Sequence, residues 1–153
     1  MTGAASHRRA PSSVLFACTT NTVRSPMAAA ILRHLHGQRI YVESVGVRAG
    51  ESDAFAQAIM DEAGLDISRH RPRSFDDLED TSFDLVVSLS PEAQHRAVEL
   101  TRTMAIDIEY WHTFDPTAIW GSREQMIAAY RETRDGLMWR IKERFPPAGS
   151  PGS

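Results

Sequence analysis

The segment Cys18-Thr19-Thr20-Asn21-Thr22-Val23-Arg24-Ser25 sets a thiol and a guanidinium six positions apart around a run of small polar residues. A short apolar run, Val14-Leu15-Phe16-Ala17, precedes it, and Pro26, Met27 and Ala28 open a stretch of helical period after it. A loop between a buried strand and a helix start can aim several backbone N–H groups at one anion, and the helix N-terminus adds about half a positive charge. Arg24 can grip two oxygens through its planar fork, so the segment suits a phosphate-sized oxyanion, framed by Thr19, Thr20, Asn21, Thr22, Val23 and Ser25. The same field favours a thiolate, which makes Cys18 a candidate for in-line attack on phosphorus, with Ser25 donating a hydrogen bond to the sulfur. The cysteine–arginine spacing alone is a weak signal in an arginine-rich chain. Strand, polar loop, Ser-Pro and apolar helix together strengthen it.

Positioning these groups falls to the surrounding elements, in which apolar runs alternate with segments of helical period, the pattern of an α/β protein with a parallel sheet. Four strands are predicted, over Val14–Ala17, Ile40–Ser44, Phe83–Leu89 and Ile106–Tyr110. The first helix is predicted with Ser25 as N-cap and Pro26 in its first turn, carrying Met27, Ala30, Ile31, Leu32 and Leu35 as far as Gly37. A second runs from about Asp53 to Ala63 before Gly64, a third starts at Pro91 after Ser90, and the longest covers about Arg123 to Phe145. The expected organisation is a flexible arm over 1–12, one domain over 13–145 and a flexible tail rich in Pro, Gly and Ser over 146–153. The cysteine loop then lies outside the carboxyl end of the first strand, where open α/β sheets bind ligands.

A chain of 153 residues with 42% hydrophobic content can bury one sizeable core. Its net charge of -3 supplies no basic field, so neither nucleic acid nor an anionic membrane is an expected partner. The apolar run ending at Cys18 is too short for a signal peptide or a membrane span, and a single cysteine excludes an internal disulfide framework. A cytoplasmic location is therefore expected. Arg69-His70-Arg71-Pro72-Arg73 reads as a solvated loop, and His34 and His36, two apart on a helix, face different directions, so no metal site or cofactor is indicated.

Val14-Leu15-Phe16-Ala17-Cys18, followed by Asn21 and Arg24-Ser25-Pro26-Met27-Ala28, resembles the low molecular weight protein tyrosine phosphatase family, and the likeness covers nearly the whole chain. The resemblance implies a four-stranded parallel sheet with helices on both faces, wound like flavodoxin, a phosphocysteine intermediate on Cys18, and a general acid in an Asp-Pro pair. Asp115-Pro116 offers that pair, in the loop after the fourth strand and on the same sheet edge as Cys18. A phosphomonoester leaves poorly unless its oxygen is protonated, and the same carboxylate can then activate water against phosphocysteine. Trp111, Phe114 and Trp120 are expected to desolvate Asp115 in part. The resemblance also implies that Asn21 holds the loop in shape, with Ser44 and His70 in support and the histidine orienting the asparagine amide. A phosphorylated protein, first of all a phosphotyrosine one, or a small phosphomonoester is the expected substrate.

Three departures from the family pattern bear on substrate. Thr20 stands where a glycine is usual, so its backbone is less free to take positive φ. Thr117 follows Asp115-Pro116 where many members place an aromatic residue, and Gly46-Val47-Arg48-Ala49-Gly50-Glu51, the opposite wall of the mouth, lacks one too. Thr22 resembles the protein-arginine phosphatase branch, which makes phosphoarginine a second substrate expectation. Arsenate reduction is the rival activity, but the chain has no further cysteine to relay electrons and needs an external thiol. A phosphocysteine carrier or phospho-binding module is the non-enzymatic rival, and Arg24 with Asp115 argues against it, because a clamp plus a carboxylate favours prompt transfer to water.

Overall fold

The computed structural model describes residues 10–79 and 82–147. The expected arm over 1–12 and tail over 146–153 therefore lie mostly outside the described residues. Strand β1, Ser13–Cys18, is one of the two inner strands of the sheet. Its residues from Val14 to Cys18 are all buried, because both faces of a parallel sheet are covered and neither needs a polar alternate. Val14, Phe16 and Cys18 belong to the core on one face, Leu15 and Ala17 to the core on the other, as the period of two requires.

Strands β2 (Tyr41–Gly46), β3 (Leu85–Ser88) and β4 (Asp107–Tyr110) complete a four-stranded sheet in the order β2-β1-β3-β4, parallel at every pairing. The chain leaves β1 for β2 on one side and returns for β3 on the other, so the loops after β1 and β3 diverge and open a crevice at the carboxyl ends. Helices α1 (Arg24–His36), α2 (Ala54–Glu62) and α4 (Arg123–Arg144) supply Met27, Ile31, Leu32, Ile59, Met60, Leu137 and Ile141 to one core. Helix α3 (Pro91–Leu100) covers the other face with Ala93 and Ala97, joined by Phe75 from a 3-10 turn at Phe75–Asp77. The α/β class, the parallel sheet and the helices on both faces agree with the expectation. Among the described residues no helix is long and apolar enough to cross a membrane.

Asp53, Ser90 and Ser122 cap α2, α3 and α4, each accepting an N–H of the first turn with its side chain. The first helix differs from the sequence reading. It begins at Arg24 after Val23, which offers no side-chain cap, and Ser25 is fully buried within the first turn instead of capping it. Strand β2 extends two residues past the expected end at Ser44, since Val45 and Gly46 go on pairing with Ala17 and Cys18. Strand β3 is shorter than Phe83–Leu89. Both of those residues are buried but outside the strand, because apolar type reports burial and not ladder pairing.

Candidate active site

Cys18 ends β1 with its Sγ buried, and the first turn of α1 folds back over it. Ser25 Oγ lies 2.9 Å from the sulfur and the Ser25 N–H donates to it at 3.4 Å. The preference of a Ser-Pro pair for a cap gives way here to the contacts that the Ser25 hydroxyl and N–H make with the sulfur. Ser25 Oγ also accepts from Asn21 Nδ2 at 2.8 Å, so its own proton is left for the sulfur or for the Val45 carbonyl at 3.3 Å.

The loop between Cys18 and Arg24 is held from outside by its carbonyls. Those of Cys18, Thr19 and Thr20 accept from the N–H groups of Val47, Arg48 and Gly50 at 3.0, 3.0 and 2.9 Å, and His70 Nε2 donates to that of Asn21 at 2.9 Å. In a trans peptide the N–H points opposite to the carbonyl, so the N–H groups of residues 19–22 face the other way, as a backbone anion site requires. The segment Val47 to Gly50 thus acts as a rail beside the loop, and Gly46 is what lets it approach. A Cβ on Gly46 would stand 2.8 Å from Asn21 N and from Thr20 C, and 2.6 Å from Arg48 O. Sequence reasoning placed Gly46 in a wall and missed this role. Its signal is a glycine at the end of a buried strand.

The strained backbone in this loop is at Asn21, with φ 60°, and not at Thr20. Asparagine tolerates this region because its short side chain bonds locally. Fully buried, Asn21 spends its amide on Ser25 Oγ at 2.8 Å and Ser44 Oγ at 3.0 Å, and its Oδ1 accepts the Arg73 N–H at 3.0 Å. Arg73 is itself anchored on the Ser44 carbonyl and on Glu43. Asn21→Ala removes three hydrogen bonds, two of them buried, and puts an alanine at positive φ, so denaturant unfolding should show a loss of about 3 kcal/mol. A loss below about 1 kcal/mol would show that the loop holds its shape without this side chain.

Ser44 and His70 both reach Asn21. The histidine, though, bonds the backbone carbonyl and not the amide that the sequence reading assigned to it. Burial pushes the His70 imidazole below its ordinary value, partly opposed by the Asn21 carbonyl and reinforced by the charges of Arg33 and Arg73. A folded-state value held below the unfolded one means that the unfolded chain binds the proton more readily. The stabilisation from neutral His70 is therefore complete above about pH 6.5 and is lost as the pH falls through the lower folded-state value. His70→Gln, which keeps an N–H donor, should flatten the fall in melting temperature between pH 7 and 5, and an unchanged fall would exclude His70 as its source.

Arg24 is buried, with Nη1 donating to the Thr113 carbonyl at 3.0 Å and Nη2 to Thr19 Oγ1 at 3.5 Å. Asp115 Oδ2 stands 3.7 Å from Arg24 Nη2, and its Oδ1 accepts from the Thr117 N–H at 3.0 Å and from Thr117 Oγ1 at 2.7 Å. Thr117, read from sequence as a lost aromatic, is thus the residue that fixes the carboxylate. The expected aromatic enclosure of Asp115 does not form. Trp111 turns into the core edge-on to Phe16, Trp120 is 93% exposed, and the Asp115 side chain is 43% exposed. Thr20 and Thr22 join hydroxyls at 2.8 Å, and a Cβ on Gly50 would meet their side chains at 3.0 and 3.1 Å, so small residues line this side of the mouth. Among the described residues no group of three or more His, Cys, Asp or Glu is placed to hold a metal ion.

A thiol beside the Ser25 hydroxyl and N–H, an arginine fork and a carboxylate thus stand at one edge of the α/β sheet. Residues 13–137 match the family described as low molecular weight phosphotyrosine protein phosphatase, and the chain belongs to that family. It is 33% identical over 129 residues to the glutaredoxin arsenate reductase of Synechocystis sp., covering 84% of this chain and 92% of that one. A shorter match, 41% over 64 residues, links it to the protein-arginine-phosphatase of Geobacillus stearothermophilus, over 40% of this chain and 43% of that one. The crystal structure of a low molecular weight protein tyrosine phosphatase from T. tengcongensis superposes with a TM-score of 0.70 at 28% identity, covering 86% of this chain and 95% of that one. The family is one of enzymes, with both phosphatases and arsenate reductases among its members.

Proposed function

We propose that the protein is a cysteine-dependent phosphatase that hydrolyses a phosphomonoester, with protein phosphotyrosine as the first substrate class. The observation that carries this reading is the convergence of Cys18 Sγ, the Arg24 fork and the Asp115 carboxylate at the carboxyl edge of β1. The Cys18 thiolate attacks phosphorus, the bond from phosphorus to the ester oxygen breaks, and that oxygen leaves with a proton from Asp115. Arg24 and the loop N–H groups hold the equatorial oxygens of the transferring group. Water then gives its proton to Asp115 and attacks the phosphocysteine, releasing phosphate and restoring the thiolate. A lone reactive thiol of this kind suits a reducing compartment such as the cytoplasm.

Thr22 and the match to a protein-arginine-phosphatase favour phosphoarginine as a second substrate, and the small residues where an aromatic wall is usual weaken stacking on phosphotyrosine. Arsenate reduction remains the rival that a relative's name suggests, and in a chain with one cysteine it depends on an outside thiol. One purified sample distinguishes them. Vanadate-sensitive hydrolysis of p-nitrophenyl phosphate between pH 5 and 8 is expected, with faster turnover of phosphotyrosine than of phosphoarginine peptides under matched conditions. Preference for the phosphoarginine peptides would reassign the substrate. Arsenite formation with added glutaredoxin and no phosphate release would replace the phosphatase reading, and a phosphocysteine that persists after a single turnover would point to a carrier.

A further inference from the structure

We propose that Glu92, in the first turn of α3, is a positioning residue for Arg24 and acts through the hydroxyl of Thr19. The inference rests on residues 18–25 being an oxyanion site. Thr19 Oγ1 lies 3.0 Å from Glu92 Oε1, 3.0 Å from Ser90 Oγ and 3.5 Å from Arg24 Nη2. Thr19 is buried and its hydroxyl has one proton to give. A guanidinium only donates and an ionised carboxylate only accepts, so the neighbours dictate how that proton is placed. Thr19 donates to Glu92 and accepts from Arg24, while Ser90 Oγ, which accepts the Ala93 N–H at 3.2 Å, stands as a second, neutral acceptor that the charged carboxylate outcompetes for the Thr19 proton.

The charged acceptor makes the Thr19–Glu92 bond the strong one of the set, and it fixes the hydroxyl with its lone pairs toward Arg24. With the Thr113 carbonyl on Nη1, the guanidinium is then held at both ends by neutral oxygens before any oxyanion arrives. Holding the fork in advance removes part of the ordering cost of binding. Glu92 Oε2 lies 3.7 Å from Arg48 Nη1, so its charge is partly offset by a residue of the neighbouring rail. A glutamine at 92 can turn its NH2 toward Thr19. The hydroxyl proton is then free to swing toward Arg24, where two donors oppose each other.

Titration calorimetry of the full chain with inorganic phosphate tests this without relying on turnover. Glu92→Gln and Thr19→Val should each weaken phosphate binding roughly fivefold, the equivalent of one hydrogen bond. Thr19→Ser, which keeps the hydroxyl, should stay within about twofold of the parent, and Thr19→Val/Glu92→Gln should bind no more weakly than Thr19→Val alone. The Glu92 side chain is 59% exposed, so its substitution is not expected to threaten the fold, and thermal melts verify this for each variant. Unchanged affinity in Glu92→Gln, or losses that multiply in the double variant, overturns the inference. A parent protein that binds no phosphate overturns the oxyanion site and the inference with it. The expected affinity pattern in a protein that hydrolyses no p-nitrophenyl phosphate supports the positioning role and counts only against the phosphatase reading.

Discussion

Cys18→Ser is expected to lower hydrolysis of p-nitrophenyl phosphate by a factor of about 10³ or more, the scale of removing an activated nucleophile, while phosphate binding survives. A hydroxyl is far less acidic than a thiol, so donors that favour a thiolate do not make an alkoxide at neutral pH. Structurally the replacement is mild. The serine Oγ inherits the Ser25 hydroxyl and N–H as partners, the carbonyl ladder to Val47, Arg48 and Gly50 does not involve the side chain, and Arg24 keeps both of its oxygen contacts. A melting temperature within about 4 °C of the parent would accord with so small a change. Steady-state kinetics with calorimetric phosphate binding reads both halves. Turnover above a tenth of the parent would remove Cys18 from the nucleophile role, and loss of phosphate binding together with turnover would make the sulfur part of the anion site's architecture.

The sequence reveals the parts of the fold that depend on period. The all-apolar β1 run, the Ser90-Pro91 start and the break at Gly64, where φ is 75°, each follow from a local rule, and the elements lie within a few residues of where those rules put them. Strand order is not a local property, and the arrangement of helices on both faces of a four-stranded sheet came from family likeness. The departures lie where a distant contact outweighs a local preference. Ser25 gives up a cap for the thiol. Trp111, at the end of β4, is claimed by Phe16 and Phe145 in the core and so cannot shield Asp115. His70 meets a backbone carbonyl that no spacing rule reveals, and Gly46 and Glu92 owe their roles to folding that brings the cysteine loop beside them, whereas Thr117, two residues from Asp115, makes a local turn contact that Asp-Pro-Thr itself signals. Residue type indicated which groups can do chemistry, and packing decided which of them meet.

Asp115→Ala is expected to lower turnover of p-nitrophenyl phosphate about 10²-fold, and turnover of an alkyl phosphate further, because the stronger base leaves only if protonated. The alanine has a second effect that must be separated from the first. Asp115 caps the 3-10 turn at Pro116–Ala118 by accepting from Thr117, and losing such a cap costs about 1 kcal/mol and frees the loop that carries the carboxylate. Asp115→Asn isolates the chemistry. Its side-chain oxygen still accepts from the Thr117 N–H and hydroxyl, so the loop keeps its shape, but it has no acidic proton to deliver and cannot take one from water. Proton transfer at Asp115 therefore predicts that asparagine falls nearly as far as alanine while its melting temperature stays at the parent's. An asparagine variant with full activity toward the alkyl phosphate would mean that Asp115 serves the loop alone, and that another group protonates the leaving oxygen. Single-turnover experiments add an independent reading. The carboxylate also activates water, so both variants should accumulate phosphocysteine on Cys18 once p-nitrophenol has left, which a purely structural role for Asp115 does not predict.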